Sequence, residues 1–220
     1  MEKLKYKNLE YVIRLPESFD EKSSYPLVFY IHGAGGRGSD INTIYNHSFF
    51  TDTAPFLKDA VSVVPQCYSD SWFDIFEQLI DFIEFIISHP YVDKDRVYLI
   101  GASMGGYTTW QLAMSRPDLF AAIIPICGGG MYWNAARLMY IGVWAFHGDV
   151  DNVVKCEESV KMVESINQKG GKACLTIYPD TGHNAWTPTF TDPRVWNWLF
   201  SNKRNSAYSR TAYNDTKRFG

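Results

Sequence analysis

The serine in RVYLIGASMGGYTTW has the surroundings of a nucleophile. Gly101, Ser103 and Gly105 form G-x-S-x-G, with an apolar run before them and a helical pattern directly after. In that strand–turn–helix setting the turn is too tight for side chains at 101 and 105, and Ser103 is left strained above the strand end with its hydroxyl accessible. The helix behind it offers free N–H groups and the positive end of its dipole. A serine hydroxyl needs a base, and the base needs a third group to orient it. Around such a turn the acid and then the histidine follow the serine in chain order. Only His147 and His183 follow Ser103. His147, in WAFHGD, precedes the acidic residues and is out of order as the base. His183, in YPDTGHNAW, sits in a loop beyond the last strand-like run and can fold back over Ser103. The HGDVDNVV loop offers Asp149 and Asp151, and position alone does not separate them. Asp180, close to His183, and the glutamates of the following helix are weaker choices.

Attack by Ser103 on a carbonyl carbon puts negative charge on the oxygen, which calls for preorganised N–H donors worth about 3–4 kcal/mol each. The N–H of Met104 is one candidate. A second should come from a glycine-rich loop after an earlier strand, and IHGAGG supplies it with Ala34 first and Gly35 next. The same loop contains G-x-G-x-x-G at Gly33, Gly35 and Gly38, which invites a dinucleotide reading. That reading fails on its surroundings. SDINTIYNHSFF carries no amphipathic helix to face a pyrophosphate, and VSVV ends in Pro65-Gln66 without an acidic residue for a ribose. His32 is expected to brace the loop through a hydrogen bond and to take no part in proton transfer.

These residues need a scaffold. Strand-like runs recur at 11–15, 27–31, 61–64, 97–100, 121–126, 143–146 and 175–178, and most of the later ones are continuously apolar, which suits parallel strands buried on both faces. Helical patterns lie between them. In FDIFEQLIDFIEFIIS, residues 73–88, apolar positions recur at three- and four-residue spacing, with Asp74, Glu77, Asp81 and Glu84 opposite. Others cover 104–115, 157–169 (ended by Gly170-Gly171) and a short final piece at 196–200. Alternating strands and helices predict an α/β fold, a mainly parallel central sheet with helices on both faces. One domain is expected over 1–200, and 201–220, polar and aperiodic, as a disordered tail.

Composition narrows the function classes. The net charge is −3 with no long block of one sign, which speaks against nucleic acid as a partner. No apolar stretch is long enough to span a membrane, and MEKLKYKNLEYVIRLP lacks the apolar core of a signal peptide, so the expectation is a soluble, cytoplasmic protein. Cys67, Cys127, Cys156 and Cys174 form no C-x-x-C and no metal-ligand spacing. No metal or organic cofactor is expected.

With these pieces placed, the chain resembles an α/β-hydrolase serine esterase of the single-domain branch that holds predicted peptidases, phospholipase/carboxylesterases and feruloyl-esterase-like enzymes. HGAGGRG, DRVYLIGASMGGYTTW, PICGGG, VWAFHGDVDNVV and YPDTGHNAW fall in that family's order from about Leu27 to Phe200. The resemblance lays H-G-x-x-D-x-x-V over His147 to Val154 and so prefers Asp151 as the acid. It implies a Ser103–Asp151–His183 triad, an acyl-enzyme, and a small-molecule ester as substrate. A peptidase or amidase on the same triad and a non-catalytic binding relative are the alternatives. Where many relatives insert a helical lid, only MYWNAARLMYIG stands between Gly130 and Val143, so an open cleft without a large lid is expected. Trp186, Trp133 and Trp72 are the expected substrate-binding aromatics, with Tyr68 beside Trp72.

Overall fold

The structure, a computed structural model, describes residues 1–204. Eight strands form one sheet: β1 (Glu2–Tyr6), β2 (Leu9–Arg14), β3 (Tyr25–Ile31), β4 (Val61–Pro65), β5 (Val92–Ala102), β6 (Ala122–Ile126), β7 (Gly142–Gly148) and β8 (Ala173–Tyr178). Their order across the sheet is β1-β2-β4-β3-β5-β6-β7-β8. The β1–β2 and β2–β4 pairs are antiparallel, and every pairing from β4 onward is parallel. The helices are α1 (Asn42–Tyr45), α2 (Ser48–Asp52), α3 (Phe76–Ile87), α4 (Met104–Ser115), α5 (Glu157–Gln168), α6 (Trp186–Thr191) and α7 (Pro193–Ser201), with 3₁₀ turns at Ala34–Gly36 and Tyr132–Leu138. Among the described residues no helix is long and apolar enough to cross a membrane.

The apolar runs are explained by two cores, one on each face of the sheet. In β3, Leu27, Phe29 and Ile31 point into the core shared with α3, α4 and α5, while Val28 and Tyr30 point into the core under α1, α2, α6 and α7. The same alternation sends Leu99 one way and Tyr98 and Ile100 the other. A strand covered on both faces gains from apolar residues at every position, which erases the period-two pattern. Helix α3 buries Leu79, Phe82, Ile83, Ile86 and Ile87 on the first face, each side chain worth about 1.5–3 kcal/mol on burial.

The α/β architecture with a mainly parallel sheet agrees with the sequence. Helix α3 begins at Phe76 rather than 73 because Asp74 is used in a turn, where its carboxylate accepts the Ser71 N–H and the Ser69 hydroxyl. The short helix expected at 196–200 extends over Pro193–Ser201, started by Asp192, whose side chain accepts the Arg194 N–H. Helix α6 was not legible, since TPTFT has poor helix propensity and is held by burial of Thr189 and Phe190. Of the expected tail, 201–204 is anchored: the Arg204 N–H donates to the Asp95 carbonyl at 2.8 Å. The rest, 205–220, lies outside the described residues. Among the described residues, the Tyr132–Leu138 turn is the one regular element between β6 and β7, and no large lid stands there.

Candidate active site

The parallel strands end on one edge of the sheet, and that edge carries the chemistry. Strand β5 runs through Gly101 and Ala102 into Ser103, which has φ 57° and ψ −119° and caps α4. This backbone is in the left-handed half of the map, at a cost of about 1–3 kcal/mol for a residue with a Cβ. It is enforced by close packing. A Cβ at Gly101 would collide with the Gly105 carbonyl, and one at Gly105 with the Ile31 carbonyl. The Ser103 N–H donates to the Ile126 carbonyl at 2.9 Å, which ties the turn to β6.

Two further loops converge on this hydroxyl. The loop after β7 carries Asp151 and the loop after β8 carries His183, and they are stitched together where the Val150 N–H donates to the Thr181 carbonyl at 3.1 Å and the Asp149 carboxylate accepts the Thr181 N–H at 3.2 Å. Ser103 Oγ lies 2.8 Å from His183 Nε2, and His183 Nδ1 lies 2.7 Å from Asp151 Oδ2. A carboxylate only accepts, so Nδ1 carries the hydrogen and Nε2 is free to accept the serine proton. The Asp151 side chain is fully buried, while that of His183 is 20% exposed toward the cleft. Burial pushes the Asp151 carboxyl up, but the His183 hydrogen bond and the N–H groups of Val154 and Val153 outweigh it and hold the acid below its usual range. The carboxylate is therefore charged and fixed at neutral pH. Asp149 serves the loop instead.

The glycine-rich loop passes directly beside Ser103: a Cβ on Gly33 would stand 3.9 Å from Ser103 Oγ. Among the described residues neither the Ala34 N–H nor the Met104 N–H donates to a protein acceptor. His32 braces this loop, with Nδ1–H donating to the Gly33 carbonyl at 2.6 Å and Nε2 accepting the Cys67 N–H at 3.0 Å. Burial pushes its imidazole down to about 4, so it is neutral at pH 7.

A cavity of about 530 Å³ opens over the site, its wall including Ala34, Ser103, Val153, His183 and Trp186. The Trp186 ring stands edge-on to His183, with centroids 5.5 Å apart. The other two tryptophans require correction. Trp72 is completely buried and donates its indole N–H to the His32 carbonyl at 3.0 Å, so it supports the glycine-rich loop from inside the core and cannot meet a substrate. Trp133 is 69% exposed on the Tyr132–Leu138 turn and is absent from the cavity wall. Tyr68 faces away as well, its hydroxyl donating to Gln78 Oε1. In their place His47 and Ser48 line the cavity. They come from α2 and the residue before it, and no sequence pattern signals that this stretch returns to the site.

Comparison with known proteins agrees with the fold. The prolyl oligopeptidase family matches residues 73–140, a stretch that includes Ser103 and stops before Asp151 and His183. Probable feruloyl esterase C of Aspergillus niger is 25% identical over 194 residues, covering 82% of this chain and 69% of that protein. Dipeptidyl-peptidase 5 of Porphyromonas gingivalis is 21% identical over 77% of this chain and 32% of its own. The crystal structure of a thermostable esterase superposes with a TM-score of 0.83 at 30% identity, over 92% of this chain and 62% of that one.

The chain has the α/β-hydrolase fold and is similar to esterases.

The hydrolase spans about two thirds of the length of the esterases just described. Beneath its site lies a group of metal-ligand types, Cys127, His147 and Asp151, with donor atoms within 4.8 Å of one another. Each is already engaged within the protein: Asp151 as above, Cys127 with its thiol donating to the His183 carbonyl at 3.2 Å, and His147 with Ser159 and Val154. Burial pushes the Cys127 thiol up to about 12, so it is a poor thiolate ligand.

Proposed function

We propose that the hydrolase cleaves carboxylic esters with aryl or short acyl groups through an acyl-enzyme on Ser103. The observation that carries this reading is the hydrogen-bonded chain from Ser103 Oγ through His183 to Asp151, at 2.8 and 2.7 Å. His183 Nε2 takes the hydroxyl proton as Oγ bonds to the carbonyl carbon. The resulting oxyanion is met by the N–H groups of Ala34 and Met104. The tetrahedral intermediate collapses, the C–O bond to the alcohol breaks, and His183 returns the proton to the departing oxygen. Water repeats the sequence on the acyl-enzyme and releases the acid. Asp151 holds the imidazole tautomer and stabilises the imidazolium. All of these groups belong to the chain itself.

An open cavity of about 530 Å³ with Trp186 on its wall suits a flat acyl group. Relatives named feruloyl esterases make a hydroxycinnamoyl ester the first substrate to try. A peptidase or amidase reading draws on the prolyl oligopeptidase match. Two measurements test the proposal. A fluorophosphonate probe should label the protein and fail to label Ser103→Ala; absence of labelling in the unsubstituted protein refutes a serine hydrolase and favours a binding role. Hydrolysis of p-nitrophenyl acetate, longer acyl chains, methyl ferulate and an aminoacyl anilide should then rank the aryl and short-acyl esters above the anilide; the reverse order favours the peptidase.

A further inference from the structure

His147 is out of chain order for the base, yet it sits against the acid. It ends β7 fully buried, and its Nε2 lies 3.0 Å from the Val154 carbonyl and 3.3 Å from Asp151 Oδ2. Both neighbours can only accept, so Nε2 carries a hydrogen, which it donates to the Val154 carbonyl with Asp151 Oδ2 close beside it. On the other side of the ring, Nδ1 is 2.8 Å from Ser159 Oγ, and that oxygen is 3.0 Å from the Gly128 carbonyl. Ser159 is itself fully buried on α5, so the ring is held at both nitrogens and cannot pivot.

We infer that His147 is a positioning residue for the acid: by holding the Val154 carbonyl, its Nε2–H fixes the turn whose N–H groups grip Asp151 Oδ1. This inference rests on Ser103, His183 and Asp151 acting as proposed above. The carboxylate is then held at both oxygens. Oδ1 accepts the N–H groups of Val153 at 2.9 Å and Val154 at 3.0 Å, and Oδ2 accepts from His183 Nδ1 at 2.7 Å, with His147 Nε2 3.3 Å away. The groups facing His147 are Asp151 from its own loop, Ser159 from α5 and Cys127 from the end of β6, with His183 behind Asp151. Holding that turn stops the carboxylate from turning away from His183.

Removing that hold should therefore lower the rate. His147→Leu is expected to lower kcat about tenfold to a hundredfold, the range seen when a residue orienting an active group is lost, with KM unchanged. His147→Gln, which presents an N–H in a similar place, should recover most of the rate. A Leu variant within threefold of the parent overturns the inference, as does a Gln variant as impaired as Leu. Nitrogen-15 NMR of the unsubstituted, histidine-labelled protein decides the matter even if neither variant folds: Nε2 of His147 should carry a proton, and a bare Nε2 overturns the assignment. Fluorophosphonate labelling run alongside keeps the two ideas apart, since loss of labelling in the unsubstituted protein strikes the hydrolase reading while the NMR result bears on His147 alone.

Discussion

Asp151→Asn tests the site with almost no change in volume. The new amide has two orientations, and the structure assigns a cost to each. With its oxygen kept toward the Val153 and Val154 N–H groups, its NH₂ replaces Oδ2 and faces the His183 Nδ1–H now 2.7 Å away. Two donors then meet, and His183 escapes only by moving its hydrogen to Nε2, which leaves Ser103 without a base. Flipping the amide restores an acceptor for His183 but sets NH₂ against two buried N–H groups at 2.9 and 3.0 Å. Leaving two buried donors unsatisfied costs about 1–3 kcal/mol each, or about 2–6 kcal/mol together. At about 1.4 kcal/mol per tenfold, the productive orientation is populated in about 1 molecule in 30 to 1 in 10⁴. The non-productive one resembles the wrong-tautomer state that lowers kcat about 10⁴-fold in serine proteases. We therefore expect kcat on p-nitrophenyl acetate to fall about 10³- to 10⁴-fold, with little change in KM. Asp149→Asn, at an exposed residue that serves one loop N–H, should stay within about threefold. Steady-state rates with a thermal melt as folding control provide the assay. A loss below about 30-fold in a folded Asp151→Asn protein, or a larger loss at Asp149, refutes the reasoning.

Other expectations can be measured on the same protein. His32 is depressed by burial to about 4 when folded, against about 6.5 unfolded, so its stabilisation is present above about pH 6.5 and is lost as the pH falls toward 4. Between pH 7.5 and 5 that is about 2 kcal/mol; urea unfolding should show this slope and His32→Asn should flatten it, and an unchanged slope counts against a neutral buried His32. Trp186→Ala should lower kcat/KM for aryl-acyl esters about tenfold more than for acetyl esters, as expected for one aromatic contact, and equal losses would remove Trp186 from the acyl site. Trp72→Ala should cost about 3–5 kcal/mol of stability in urea titration while leaving the ranking of substrates alone; a changed ranking would mean that this core residue reaches the site after all.

The sequence was most readable where local sterics and chain order act. Gly101 and Gly105 are legible because any side chain there strikes the backbone of the neighbouring turn or strand, and a strand followed at once by a helix announces that turn. The same holds for the continuously apolar runs of β3 and β5–β7, which a sheet covered on both faces requires. Helix α6 escaped because its residues have no local preference for a helix and are held by what they bury. Trp72 was misread for a related reason. Its position after a strand's end suggests the ligand edge, but a side chain several residues along a loop can point either way, and here it turns inward to the His32 carbonyl.

By itself, then, the amino-acid sequence determined the α/β layering, the strained serine and the order in which acid and base follow it, because each depends on contacts between near neighbours or on a repeating apolar pattern. The choice between Asp149 and Asp151 depended on more: residue types and spacing left both open, and resemblance alone preferred one. Only tertiary structure turns Asp151 toward His183, seats His147 behind it and brings His47 and Ser48 to the cavity wall. The reason is physical: a hydrogen bond needs its partners within about 3 Å, and that distance is settled by how loops far apart in the chain pack over the sheet edge.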